Sequence, residues 1–98
     1  MSLPIDIAHS EAHGRGAFTV TRDGARLAVM EYRRDAPDRV TIVHTEVDDA
    51  LRGLGIARQL LDATVAWARA TGTRLGATCS YAAAQLAKDP SSRDVFAP

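Results

Sequence analysis

The sequence predicts an α/β fold of the α+β kind: an antiparallel strand meander, a strand–helix–strand crossover and a short C-terminal helix. Two observations carry this expectation. Apolar residues alternate at period two between residues 17 and 47, then recur at three- and four-residue spacing from Leu54 onward. Turn-forming pairs fall at the boundaries of those runs, Asp23-Gly24 being the clearest.

Residues 1–16 carry no clear period, so an irregular initial segment is expected there. From Ala17, Phe18 and Val20 point to one face and Thr19 and Thr21 to the other. Asp23-Gly24 then reads as a hairpin turn, because both residues tolerate positive φ. The return strand spans Leu27 to Arg33, with Ala28, Met30 and Tyr32 on one face. Asp35-Ala36-Pro37-Asp38 supplies a second turn, and Val40 to Val47 a third strand rich in β-branched residues. Leu54, Ala57, Leu60, Leu61, Thr64, Val65 and Ala68 form the stripe of an amphipathic helix over about residues 54–71. Gly72 stands where a left-handed cap would stop it. A fourth strand is expected from Arg74 to Cys79, parallel to the third because the helix between them is a right-handed crossover. Alanine-rich Tyr81 to Lys88 reads as a helix closed by Asp89-Pro90.

Length and composition bound the rest. Ninety-eight residues suit one domain, expected over 1–98 with its core at about 16–96. Twelve basic residues balance twelve acidic ones, so no overall field would draw nucleic acid or an anionic membrane. Cys79 is the sole cysteine, which excludes an internal disulfide and a Cys-rich metal site and fits a reducing, cytoplasmic setting. No apolar run approaches the roughly 20 residues of a membrane-spanning helix. His9 and His13 are four apart but lie outside any helical stripe and have no evident third ligand, so no metal is expected.

The informative segment is Arg52-Gly53-Leu54-Gly55-Ile56-Ala57, between the third strand and the long helix. A helix start has backbone N–H groups with no intrahelical partner, and Ser, Thr, Asp or Asn usually caps them. Here glycines and apolar residues occupy that region, and the nearest cap candidates, Asp48 and Asp49, come earlier. Bare donors, the helix dipole and absent side chains together suit a phosphate, and Arg52 adds a cation. The alternative is that Gly53 and Gly55 merely shape a tight connection, since a short Gly-x-Gly is a weak signal.

The six residues match every specified position of the Gln/Arg-x-x-Gly-x-Gly/Ala motif of GNAT acyl-CoA N-acyltransferases. With His44-Thr45-Glu46-Val47 before them and Cys79-Ser80-Tyr81 after, the chain resembles the small single-domain Yjdj-type N-acetyltransferases from about Gly16 to Phe96. The resemblance implies a compact GNAT-like fold in which the backbone from Leu54 to Ala57 cradles the coenzyme A pyrophosphate. It also implies that the third and fourth strands splay to admit the pantetheine arm, which would pair with backbone near Glu46 and Val47. Arg52, Gly53, Leu54, Gly55, Ile56, Ala57, Val47 and Tyr81 are thus the expected coenzyme contacts. The extra N-terminal helices and last strands that often wall the acceptor site in the broader superfamily have no counterpart in this pattern.

Acetyl transfer to an amine needs a deprotonated nucleophile and a proton for the leaving thiolate. His44 and Glu46, two apart on the third strand, are candidate bases; each also reads as an ordinary strand residue. Cys79, brought near the thioester by the resemblance, is either a transient acetyl acceptor or a small apolar side chain. Tyr81 is a candidate proton donor or a packing residue. Two functions follow: an acetyl-CoA-dependent N-acetyltransferase acting on an amine, or a coenzyme A-binding module without turnover. A monomer or weak homodimer is expected, and other nucleotides are disfavoured by the missing Lys-Ser/Thr ending and third glycine of their loops.

Overall fold

The computed structural model describes residues 6–97. Five strands form one sheet in the order β1-β2-β3-β4-β5: β1 (Ile7–Ala12), β2 (Arg15–Arg22), β3 (Ala25–Ala36), β4 (Arg39–Val47) and β5 (Arg74–Ala77). The helix α1 (Ile56–Thr71) joins β4 to β5, and α2 (Ser80–Lys88) follows. The first four strands are an antiparallel meander, and β4 pairs with β5 in parallel, as the helical crossover requires.

The expected irregular start is corrected. Residues 7–12 form a strand because His13-Gly14 makes a tight turn, with φ of 55° and 78°, and folds Ile7–Ala12 onto β2. Two of its three inward positions are polar, which hides the alternation: His9 and Glu11 face the same side as Phe18 and Tyr32. There His9 Nε2 lies 2.6 Å from the Tyr32 hydroxyl, which donates to Glu11 at 2.8 Å. The His9 ring stacks on Phe18 at 4.1 Å and meets Trp67 of α1 edge-on at 4.9 Å. Gly16 must lack a side chain here, since a Cβ would fall 2.2 Å from the Tyr32 ring. Residues 1–5 of the expected irregular segment lie outside the described residues.

Asp23-Gly24 turns as expected, with φ of 53° and 80°. Phe18, Met30, Tyr32, Val40 and Ile42 of the sheet meet Ile56, Leu60, Leu61 and Ala68 of α1 and Ala82 and Leu86 of α2 in one core. Both helices therefore cover the same face. Gly72 ends α1 in the left-handed conformation, φ 69°. Beyond α2, a short 3-10 turn (Pro90–Ser92) leads to Phe96, which bridges to Leu75 on the outer edge of β5.

Two boundaries differ from expectation. α1 begins at Ile56 rather than Leu54, because Gly55 is left-handed, φ 69°, and cannot continue a right-handed helix. The last strand ends at Ala77 rather than Cys79. The amides of Thr78 and Cys79 both donate to the Ile42 carbonyl, at 2.9 and 3.1 Å, and the chain then leaves the sheet.

Candidate active site

β4 outruns β5, and that mismatch creates the site. Their pairing stops at Ile42↔Ala77, while β4 continues for five residues, Val43 to Val47, bonded only to β3. The Asp48 amide donates to the Leu27 carbonyl of β3 at 2.7 Å. Strand alternation then turns the amides of Val47 and Thr45 the other way, into the gap that β5 leaves.

At the end of β4, Asp48 caps a 3-10 turn (Asp49–Leu51) by accepting from the Ala50 amide at 2.9 Å, and buried Leu51 anchors it. Gly53 and Gly55 follow with φ of 82° and 69°. A Cβ on either would meet no protein atom within 4 Å, so backbone conformation rather than crowding selects glycine. Other residues pay roughly 1–2 kcal/mol in that conformation. No side chain caps α1; its first described bond runs from the Gln59 amide to the Gly55 carbonyl at 3.1 Å. The amides of Ile56, Ala57 and Arg58 thus have no acceptor among the described residues, and they open on a cavity of about 260 Å³. Val47 and Leu51 form one side of it, Gly53, Gly55, Ile56 and Ala57 another, and Tyr81 of α2 a third. Arg52 lines the rim, paired with Asp49 at 2.8 Å, both largely exposed. Leu54, expected as a contact, is 45% exposed and lies outside the lining.

Arg58 lines this cavity but was not singled out from the sequence, although its position in the first turn was a usable signal. It donates to Asp62 at 3.0 Å, to Gln85 at 3.3 Å and to Asp89. Burial pushes the Tyr81 phenol above its ordinary value, with nearby Arg58 opposing, so the phenol keeps its proton.

Cys79 stands at the narrow end of the gap as the N-cap residue of α2, half-buried, its thiol 3.4 Å from the Thr45 hydroxyl. His44 and Glu46 are elsewhere. Across β3, Tyr32 faces Ile42 but Glu31 faces His44, so Val43 is an extra, bulged residue. The bulge shifts the side-chain parity by one. Thr45 and Val47 continue the inner face begun by Ile42, and His44 and Glu46 emerge on the face opposite the described helices. There His44 Nε2 and Glu46 Oε2 are 3.3 Å apart, with side chains 52% and 73% exposed. No described helix covers that face. Cys79 and Tyr81 thus share the cavity side, while the two candidate bases share the opposite one. Among the described residues, no three His, Cys, Asp or Glu are grouped to hold a metal ion.

A five-stranded sheet with two helices on one face, and β4 parting from β5 beside a glycine-built helix start, is the fold of the GNAT acyltransferases. A family model described as GCN5-related N-acetyl-transferase matches residues 17–95, and the chain belongs to that family: it is an acetyl-CoA-dependent N-acetyltransferase whose acceptor is an amine. Among curated relatives it is similar to Protein NATD1 of Gallus gallus, 33% identical over 88 residues, which is 89% of this chain and 78% of that protein. Protein NATD1 of Homo sapiens is 33% identical over the same length, 76% of its own. The solution structure of a GCN5-like protein from Staphylococcus aureus superposes with a TM-score of 0.69 at 30% identity, over 92% of this chain and 87% of that one. An aminoglycoside N-acetyltransferase in complex with CoA shares the fold, TM-score 0.52 at 21% identity, over 70% of this chain and 57% of that one.

Proposed function

We propose that this protein, a small enzyme of the Yjdj kind, binds acetyl-CoA across the β4–β5 gap and acetylates a primary amine that arrives on the helix-free face of the sheet. The observation that carries this reading is the uncapped start of α1: three unpaired amides and two left-handed glycines opening on the cavity beside Val47. Phosphate oxygens suit those donors, because the helix dipole adds to them and no side chain stands in the way. The amides of Thr45 and Val47 would receive the pantetheine carbonyls, and the thioester would then lie toward Val43, where the gap narrows.

Glu46 or His44 takes a proton from the incoming ammonium, directly or through one water. The freed amine attacks the thioester carbonyl carbon, forming a C–N bond as the C–S bond breaks. The second nitrogen proton leaves to water, from which the Tyr81 phenolate left after transfer to the thiolate is reprotonated. Tyr81, holding its proton, is placed to supply it to the departing thiolate. Cys79 offers a second route, accepting the acetyl on sulfur and passing it to the amine. Exposure of Glu46 and His44 leaves room for a small molecule or a peptide terminus.

The test compares Gly55→Glu with Gly55→Asn. Both place a side chain in the left-handed conformation, which Asn tolerates better, but only Glu sets a negative charge before the amides. Folded Gly55→Glu should lose coenzyme A binding by calorimetry and thiol release from acetyl-CoA with amines, whereas Gly55→Asn retains a measurable part of both. Unchanged affinity in Gly55→Glu would place the coenzyme elsewhere.

A further inference from the structure

Arg58 belongs to two structures at once. It lines the cavity with Gly55 and Ala57, three residues into a helix whose leading amides are bare. It also lines a second cavity, of about 200 Å³, between α1 and α2. Its guanidinium is shared out accordingly: Nε to Asp62 on its own helix, Nη1 to Gln85 of α2, and Nη2 to Asp89, the residue that ends α2. An anion at the start of α1 therefore meets a cation that already has an acceptor.

We propose that Arg58 is a ligand of the coenzyme pyrophosphate held in place by Asp89, and that phosphate and Asp89 compete for the same guanidinium edge. The proposal rests on the coenzyme reading above. Three features make the exchange easy. The Arg58 and Asp89 side chains are 40% and 23% exposed, and pairs of that kind are weak. Asp62, on the same helix face, keeps Nε fixed, so the guanidinium swings rather than detaches. Asp89 does not become an orphan when released, because its other oxygen accepts from the Ser91 amide at 2.9 Å and the Ser91 hydroxyl at 2.7 Å. Ser91 is also the first influence that holds the Asp89 carboxyl down at about 2, ahead of Arg58. A doubly charged pyrophosphate on a guanidinium and a helix start outbids a lone carboxylate. Coenzyme binding would then loosen the contact between the start of α1 and the end of α2.

The sign of one substitution separates this from a structural ion pair. Asp89→Asn keeps an oxygen to cap Ser91 and removes the competing charge. In calorimetry with coenzyme A, it should tighten Kd about two- to fivefold, the range open to a weak competing ion pair. The same variant should melt at a lower temperature than the parent without coenzyme. Arg58→Gln should weaken Kd about tenfold or more, as loss of a charge-assisted hydrogen bond does. Adding Asp89→Asn to Arg58→Gln should then change nothing further. The Arg58→Gln loss should persist with dephospho-coenzyme A, which keeps the pyrophosphate, and vanish with pantetheine. Unchanged or weaker binding in Asp89→Asn overturns the proposal. So does a loss confined to coenzyme A, which would assign Arg58 to the 3′-phosphate. If the parent itself binds no coenzyme A, the coenzyme reading falls with it; if Gly55→Glu abolishes binding while Arg58→Gln leaves it intact, only this proposal falls.

Discussion

Glu46 and Cys79 stand on opposite sides of one strand, and a single inserted residue, Val43, separates them. Without the bulge, His44 and Glu46 would continue the inner face of Ile42 and lie against the helices. With it, they meet solvent, where an acceptor amine can reach them, and Thr45 turns inward to meet the Cys79 thiol. Glu46→Gln keeps the shape and removes the proposed base. Turnover with a primary amine at neutral pH should fall about 100- to 10,000-fold while coenzyme affinity stays nearly constant. Part of the rate should return as pH rises toward the amine's own pKa, because the lost step is deprotonation. A parallel Cys79→Ala measurement discriminates the routes: full activity there removes covalent transfer, and an unchanged rate in Glu46→Gln passes the base role to His44.

At the scale of elements, β1 is the piece held by side chains rather than by core burial. Beyond its ladder to β2, the strand is fixed by Glu11, which accepts from Tyr32 and from both Nε and Nη2 of Arg34, while Arg34 lies 5.8 Å from the Trp67 ring. The hydrogen bond from Arg34 is the main reason the Glu11 carboxyl sits at about 2, against an ordinary value of 4.5. A depressed carboxylate contributes stability that is complete above 4.5 and is lost as pH falls toward 2. Melting temperature should therefore drop through that window, with Asp89 contributing over its lower part, from its ordinary 3.8 down to about 2. Glu11→Gln can still accept from Tyr32 but no longer titrates. It should start less stable at pH 7 and lose less between pH 5 and 2. Parallel pH curves for parent and variant would show that Glu11 does not anchor β1. His13-Gly14 and the alternation of Ile7, His9 and Glu11 were the sequence signals of this strand. They are hard to see because two of its three inward residues are polar, and what satisfies them lies 20 or more residues away.

For the whole molecule, the described helices lie on one face of the sheet, and the proposed site is the place where β4 and β5 part. A ligand in that gap touches β4, α1 and α2 together, so it should stabilise the fold as a unit. Acetyl-CoA at 100 times its Kd should add about 2.7 kcal/mol, read as a rise in melting temperature that grows with concentration. A flat melting temperature up to millimolar acetyl-CoA would mean that the gap is not a coenzyme site. Desulfo-coenzyme A should reproduce most of the rise, since phosphates and pantetheine supply the contacts proposed here.

The sequence by itself determined what depends on neighbours along the chain. The period of two in β2 to β4, the Asp23-Gly24 turn, the 3.6-residue stripe of α1, its Gly72 stop and its glycine-built, uncapped start are all local patterns, set by backbone sterics and by which face must be buried. The tertiary structure alone decided what depends on partners far apart. The Val43 bulge becomes visible only once β4 is read against β3, and it sends His44 and Glu46 to the open face. Arg58 finds Asp89 across 31 positions, and β1 finds Tyr32 and Arg34 across more than 20. Such contacts leave no period in the chain, because each depends on two elements being placed before their side chains can meet.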